Sequence, residues 1–306
     1  MPREQNLAFF KQWLVGMTDG DGCFTMSLHK NKNTWSFTYK ISFSVSNLRA
    51  LNYMKKNLGV GSITTEKNTN MACFYIGNKH SLKEIIFPIF DTYPLLTSKY
   101  YSYQIFKEAL YIAENASLTK EEKNVLIFSL LEKRKVLLSL NSPVWSNNNN
   151  SLTKESICSI SDVDTIISKP WLIGFVEAEG SFFFEKKDPY RLVHTFSIVQ
   201  KKDEIVLRAI KYMLHIPTLV YYSERRRKNR IESVFRLQTS SSRAIENIID
   251  YFLDAKGSHV RMKGIKSLEF KIWARSYRKH KGNFEALTKV KELIDKIRHN
   301  NRKDLK

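Results

Sequence analysis

A short stretch occurs twice in this chain, as WLVGMTDGDGCF at Trp13 to Phe24 and as WLIGFVEAEGSF at Trp171 to Phe182. Each copy opens on Trp-Leu, carries glycine at its fourth place and closes acidic, small, acidic, glycine. A repeat of this kind demands two similar halves, and it limits the fold more than composition does. Leu14, Met17 and Thr18 recur at helical spacing, as do Leu172, Phe175 and Val176, so each copy begins as a largely apolar helix. Gly16 and Gly20, matched by Gly174 and Ala178, lie four apart and leave one helical face nearly bare. Bare faces let two backbones approach closely, so the two copies are expected to pack on each other.

A pseudo-twofold pairing of these helices brings their C-terminal ends together. Each end delivers a final carboxylate, Asp21 or Glu179, just before the glycine that stops the helix. Two carboxylates at one spot are costly unless a cation neutralises them, and hard oxygen ligands suit Mg²⁺. For one copy alone, Asp19 with Asp21, or Glu177 with Glu179, would read as charges that solubilise a helix end. The duplication favours a shared divalent-metal site instead.

The chain has 306 residues, enough for two domains of ordinary size. Its 50 Lys and Arg against 30 Asp and Glu leave a net charge of +20, which points to a polyanion partner, most simply nucleic acid. Anionic membrane is the weaker option, and no run of eighteen apolar residues occurs. The start MPREQNLAFFKQ has the character of neither a signal peptide nor a transit peptide. Cys23, Cys73 and Cys158 are odd in number and wrongly spaced for a zinc site or a disulfide framework, which fits a reducing compartment.

After Gly22 the chain alternates as a half-buried strand, turns at Lys30 to Asn33 and returns with Phe37, Tyr39, Ile41, Phe43 and Val45 on one face. Helical spacing over Leu48 to Leu58, a second hairpin across Asn68 to Asn70 and a helical region over 80–115 complete an αββαββα order with an extra helix. Thr119 with Glu122 reads as a capping box for a helix running to about Leu140. The tract SPVWSNNNNS that follows reads as a linker unable to hold regular structure. From Pro170 the order restarts, with strands at Ser181 to Lys187, Leu192 to Gln200, Leu219 to Glu224 and Ile231 to Gln238, and a last helix from Phe284 to Ile297. The fold class is therefore α+β: two pseudo-symmetric halves over 1–115 and 169–306, each with a four-stranded antiparallel sheet, joined through a helical and Asn/Ser-rich segment over 116–168.

LVGMTDGDG and LIGFVEAEG, each embedded in αββαββα, resemble the nine-residue signature of the LAGLIDADG homing endonucleases in their single-chain, two-motif form. The resemblance covers nearly the whole chain. It implies a monomer whose two sheets form a saddle over duplex DNA, with the motif helices as the seam. It implies that Asp21 and Glu179 ligate two or three divalent cations, Mg²⁺ with Mn²⁺ or Ca²⁺ able to substitute for binding, with the carbonyls of Gly20 and Ala178 nearby. Asp19 and Glu177 would position the helix ends. A basic residue beside each metal would be Lys99, in PLLTSKYYSYQIF, and Lys266, in MKGIKSLEFKIW, with Lys263 as competitor. Asn47 and Gln200 match a position that hydrogen-bonds active-site water, and they also read as a helix cap and a strand end.

DNA contact falls to the outward strand positions. In the first half these are Thr25, Ser27, His29, Ser36, Thr38, Lys40, Ser42, Ser44, Ser62, Thr64, Glu66, Cys73 and Tyr75. In the second they are Phe183, Glu185, Lys187, Thr195, Ser197, Arg230, Glu232, Arg236 and Gln238, with Arg225 and Arg227 in the basic hairpin tip. The resemblance implies cleavage of both strands of a long asymmetric site, leaving short 3′ overhangs, with no small-molecule substrate. It also implies an organellar, mitochondrial setting, since such genes often lie in organellar introns. Two other functions fit the same scaffold: an intron RNA maturase that assists splicing, and a DNA-binding regulator that does not cut.

Overall fold

A computed structural model describes residues 3–66, 68–146, 153–157, 159–227, 230–253 and 261–303. The first half runs α1 (Arg3–Asp21), β1 (Gly22–His29), β2 (Thr34–Ser44), α2 (Leu48–Leu58), β3 (Ser62–Glu66) and β4 (Met71–Ile76). A helical run then passes from α3 (Lys79–Ser81) through the π-wound Leu82–Ile86 into α4 (Phe87–Thr92), and α5 (Lys99–Glu114) closes the half. α6 (Lys120–Leu137) leads towards α7 (Lys169–Glu179). The order then recurs as β5 (Gly180–Asp188), β6 (Arg191–Gln200), α8 (Glu204–Met213), β7 (Tyr221–Arg227), β8 (Arg230–Thr239), α9 (Ser242–Phe252) and α10 (Lys266–His280), followed by α11 (Phe284–Lys303).

The two sheets have the same antiparallel topology, β1-β2-β4-β3 and β5-β6-β8-β7, so the repeat extends from the motif to the whole half. Alternation in β2 is the local cause of its orientation. Phe37, Tyr39 and Ile41 are buried beneath the sheet while Ser36, Thr38, Lys40 and Ser42 stay partly exposed on the other face. Gly59 stops α2 because it takes a left-handed φ of 71°, which costs glycine little. The Thr119 side chain and Glu122 exchange both bonds of a capping box at the start of α6.

The last residue of each motif plugs the core of its own half. Phe24 sits 5.3–5.5 Å, centroid to centroid, from Tyr39, Phe90, Phe106 and Tyr103. Phe182 sits 4.7–5.3 Å from Phe270, Trp273 and Phe196. Each such ring contributes about 2–3 kcal/mol by leaving water. The motif therefore fixes the seam with its first turns and the core with its last residue.

α1 and α7 pack along the bare faces expected from Gly16, Gly20, Gly174 and Ala178. A Cβ on Gly16 would lie 2.0 Å from the Trp171 carbonyl oxygen, and one on Gly174 would lie 2.1 Å from that of Trp13. The backbones are in direct contact, and only glycine fits.

Two expectations need correction. The tract after Leu140 is not structureless throughout: Pro143–Ser146 forms a helical turn, and Trp145 is buried with its indole N–H donating to the Leu96 carbonyl at 2.8 Å. Ser142 Oγ donates to Leu95 O at 2.7 Å, so this connection is pinned beneath the loop before α5. Asn147 to Leu152 and Cys158 lie outside the described residues. The final helix also runs on past Ile297 to Lys303, anchored by Arg298, whose guanidinium donates to Glu269 and to the Phe182 carbonyl.

Candidate active site and nucleic-acid interface

Because α1 and α7 end at one point of the seam, they present Asp21 and Glu179 together. A Cβ on Gly20 would lie 3.2 Å from Glu179 Cγ. Glu179 is half-buried, and its carboxyl is pushed up to about 7 by loss of solvent and by the charge of Asp21, against the opposing pull of Lys99, Gln200 and Lys266. Asp21 keeps contact with solvent, yet enough protein crowds it that desolvation raises its carboxyl, with Lys99 and Lys266 opposing the rise.

In the metal-free protein this shift makes stability depend on pH. Between the ordinary carboxylate value of 4.5 and about 7, the folded state holds a Glu179 proton that the unfolded chain has released. Folded stability should therefore be highest at the acid end of that window and fall as pH rises, by up to about 3 kcal/mol. Denaturant unfolding in chelator across this range, with Glu179→Gln for comparison, measures it. A parent whose stability changes with pH no more than that of the variant would contradict the repulsion.

The two lysines occupy equivalent places. Lys99, the first residue of α5, donates Nζ to the carbonyls of Thr18 (3.1 Å) and Gly20. Lys266, the first residue of α10, donates to Val176 (3.2 Å), Ala178 (3.3 Å) and Gly180 (2.6 Å). Each ammonium thus sits on the carbonyl end of its own motif helix, where the helix dipole favours a cation. Burial lowers the pKa of both. Lys263 lies elsewhere, its ammonium 5.3 Å from the Phe9 ring centroid and 5.1 Å from that of Tyr53.

Asp19 and Glu177 are fully engaged. Asp19 accepts from the N–H of Leu96 (2.9 Å) and Thr97 (3.0 Å), from Thr97 Oγ1 (2.6 Å) and from the indole of Trp171 in the other half (2.8 Å). Glu177 accepts from the N–H of Lys263 (2.9 Å) and Gly264, and from the indole of Trp13 in the other half (2.9 Å). These bonds hold each lysine loop against the motif helix and tie each motif to the tryptophan that opens the other. That network explains why both copies begin with Trp.

The pairing of Asn47 with Gln200 needs correction. Gln200 stands beside Glu179 and pulls its carboxyl down. Asn47 is 9% exposed and its Oδ1 accepts from Ile265 N at 2.9 Å, one residue before Lys266, so the two side chains do different things.

A divalent cation fits the donor chemistry: two hard carboxylates converge, and their mutual repulsion is what a cation would relieve. Among the described residues no group of three or more His, Cys, Asp or Glu could hold a metal, so further ligands must come from outside these side chains. The carbonyls of Gly20 and Ala178 already accept from the two lysines, and each retains one lone pair.

The sheets flank this centre. In the first, strand register carries Ser62, Tyr75, Lys40 and Cys23 across one face in a row, and Thr64, Cys73 and Ser42 in the next. Ser44 and Glu66 flank Met71, while Thr25 faces Thr38, Ser27 faces Ser36, and His29 lies at the open end. All the outward positions expected in this half share that face. Cys23 and Met71 were missed, although the same period-two alternation includes them.

In the second sheet, Phe183, Glu185, Gln238 and Arg236 share the outward face. Thr195 and Ser197 need correction: they lie on that face but are buried, at 0% and 3% exposure. Thr195 Oγ1 donates to Glu185, and Ser197 Oγ accepts from Arg236, so longer neighbours cover them. Lys187 pairs with Glu185 at 2.9 Å. In backbone register Arg225 pairs with Glu232 and Arg227 with Arg230. The two surfaces therefore differ in chemistry, hydroxyl-rich in the first half and charged in the second.

Comparison with known proteins supports the internal repeat. The family model described as LAGLIDADG endonuclease matches residues 14–110 and 172–277. A relative from Schizosaccharomyces pombe, "Probable intron-encoded endonuclease Cox1-I1b", is 39% identical over 293 residues, covering 95% of this chain and 69% of its own length. "Uncharacterized mitochondrial protein RF1" of Saccharomyces cerevisiae is 31% identical over 208 residues, covering 67% of this chain and 39% of its own length. Among solved structures, the I-LtrWI LAGLIDADG homing endonuclease bound to target DNA superposes with a TM-score of 0.68 at 20% identity, covering 95% of this chain and 98% of that one.

Proposed function

This chain belongs to the LAGLIDADG endonuclease family, and on that premise we propose that it is a monomeric homing endonuclease that hydrolyses both strands of a long, asymmetric duplex DNA target, leaving short 3′ overhangs. The observation that carries the proposal is the convergence of Asp21 and Glu179 at the seam.

Asp21 and Glu179 would hold divalent metal, Mg²⁺ on the hardness of their oxygens. When bound, it supplies charge neutralisation and Lewis-acid polarisation of the scissile phosphate. Water attacks phosphorus and gives up a proton to solvent, the bond from phosphorus to the 3′ oxygen breaks, and that oxygen takes a proton from solvent. Lys99 and Lys266, anchored on the helix-end carbonyls, present fixed positive charge to the phosphate as negative charge builds on it. Gln200, beside Glu179, favours the charged form of its carboxyl. The outward rows of the two sheets meet base edges, and scattered Lys and Arg meet phosphates. Splicing assistance has no need of two converging carboxylates, so an RNA maturase role draws no support from the site. Mitochondrial residence belongs to the same proposal and rests on the relative named as a mitochondrial protein.

Incubation with a randomised target library and Mg²⁺ tests this reading. Cut molecules should share one long non-palindromic sequence. Affinity for it should fall by on the order of a thousandfold between 50 and 200 mM salt, because released counterions dominate such binding. A library left intact, or binding indifferent to salt, refutes the proposal.

A further inference from the structure

Asn47 and Asp203 occupy the N-cap positions of α2 and α8, where an Asn or Asp side chain ordinarily accepts from the first turn of its own helix. Neither does so. Asp203 instead reaches into the first half, where Oδ1 accepts from Ser98 N at 2.7 Å and Oδ2 from Ser98 Oγ at 3.2 Å. Asn47 reaches into the second half, where Oδ1 accepts from Ile265 N at 2.9 Å. Ser98 and Ile265 are themselves the N-cap residues of α5 and α10, and the next residue in each is the lysine.

Two crossed bonds are therefore related by the pseudo-twofold axis. In each lysine loop three successive N–H groups are taken: Leu96, Thr97 and Ser98 in one half, Lys263, Gly264 and Ile265 in the other. The first two go to the acid of the same half's motif, and the third goes to the opposite half. Both reaching side chains are buried, Asp203 at 6% exposure and Asn47 at 9%. A Cβ on Gly264 would lie 1.9 Å from Asn47 Oδ1, so the approach has been made as close as a glycine allows.

We propose that Asp203 and Asn47 are positioning residues that act in trans: each half caps the helix that carries the other half's lysine and so sets where that lysine stands. The inference rests on the nuclease reading and adds to it that the two lysines, related by the pseudo-twofold axis, serve opposite strands. Releasing the Ser98 N–H frees the first turn of α5 and the ammonium it carries. Misplacement of a catalytic group by about an ångström costs up to roughly a hundredfold in rate.

The test uses a supercoiled plasmid carrying a target recovered from the library by the parent protein, with each strand's cleavage followed separately on denaturing gels. Lys99→Met identifies the strand that Lys99 serves. Asp203→Ala should slow that same strand by roughly 10- to 100-fold relative to the other. Asn47→Ala should slow the opposite one, and Asp203→Asn, which keeps an acceptor oxygen, should recover most of the lost rate. Equal slowing of both strands, or slowing of the strand that Lys99 does not serve, overturns the inference. If Asp203→Ala fails to melt cooperatively, Asn47→Ala decides by the same strand ratio. A parent protein that cuts no library member defeats the nuclease reading, and a strand ratio of one in Asp203→Ala and Asn47→Ala of an active parent defeats only the crossed caps.

Discussion

Asp21→Asn and Glu179→Gln should each reduce double-strand cleavage by about a thousandfold or more, through loss of a ligand to the cation that offsets the developing phosphate charge. Binding of the same DNA should persist or tighten, since each change removes one negative charge facing the phosphates. Stability supplies an internal control. Glu179 is pushed up to about 7 by burial and by Asp21, so relieving that repulsion should leave the metal-free variants at least as resistant to denaturant at neutral pH as the parent. Cleavage, filter binding and unfolding on the same preparations separate loss of chemistry from loss of fold. Full cutting by either variant would remove the carboxylate pair from the mechanism.

The second large effect belongs to the seam. Gly16→Val would place a Cβ 2.0 Å from the Trp171 carbonyl oxygen and 2.9 Å from Phe175 N. Both are backbone atoms held in α7, so no side-chain rotation relieves the clash and the helices must part. A loss of more than about 3 kcal/mol is expected, at the high end for single substitutions. Gly59→Asn is the contrast: nothing lies within 4 Å there, and asparagine tolerates the left-handed φ of 71°, so its cost should stay below about 1 kcal/mol. Urea unfolding of both proteins reads the difference. Equal midpoints would mean that α1 and α7 do not touch as described.

Much of this architecture was legible in the residues because its determinants are local. The four-residue glycine spacing announced the seam, and alternation in β2 announced which face is core. A helix N-terminus at Thr119 was visible because both halves of a capping box lie three residues apart. What escaped depends on contacts across more than a hundred residues. The role of Asp203 is one of these, since nothing near it in sequence tells that its oxygens bind Ser98 N and Oγ. The resemblance pairs Asn47 with Gln200, whereas its structural counterpart is Asp203. Thr195 and Ser197 have the outward parity expected of them, but parity does not report that Glu185 and Arg236 lie over them. Trp145 was hidden in a polar tract because a single buried indole makes no pattern.

The indole bonds from Trp13 to Glu177 and from Trp171 to Asp19 bear on how such a protein can be recombined. A chimaera joining the first half of one family member to the second half of another inherits neither bond by default, because donor and acceptor come from different parents. Swapping specificity by exchanging halves should thus succeed only where both parents keep Trp opposite an acid at each crossing, whereas exchanging strands within one sheet leaves the crossings untouched.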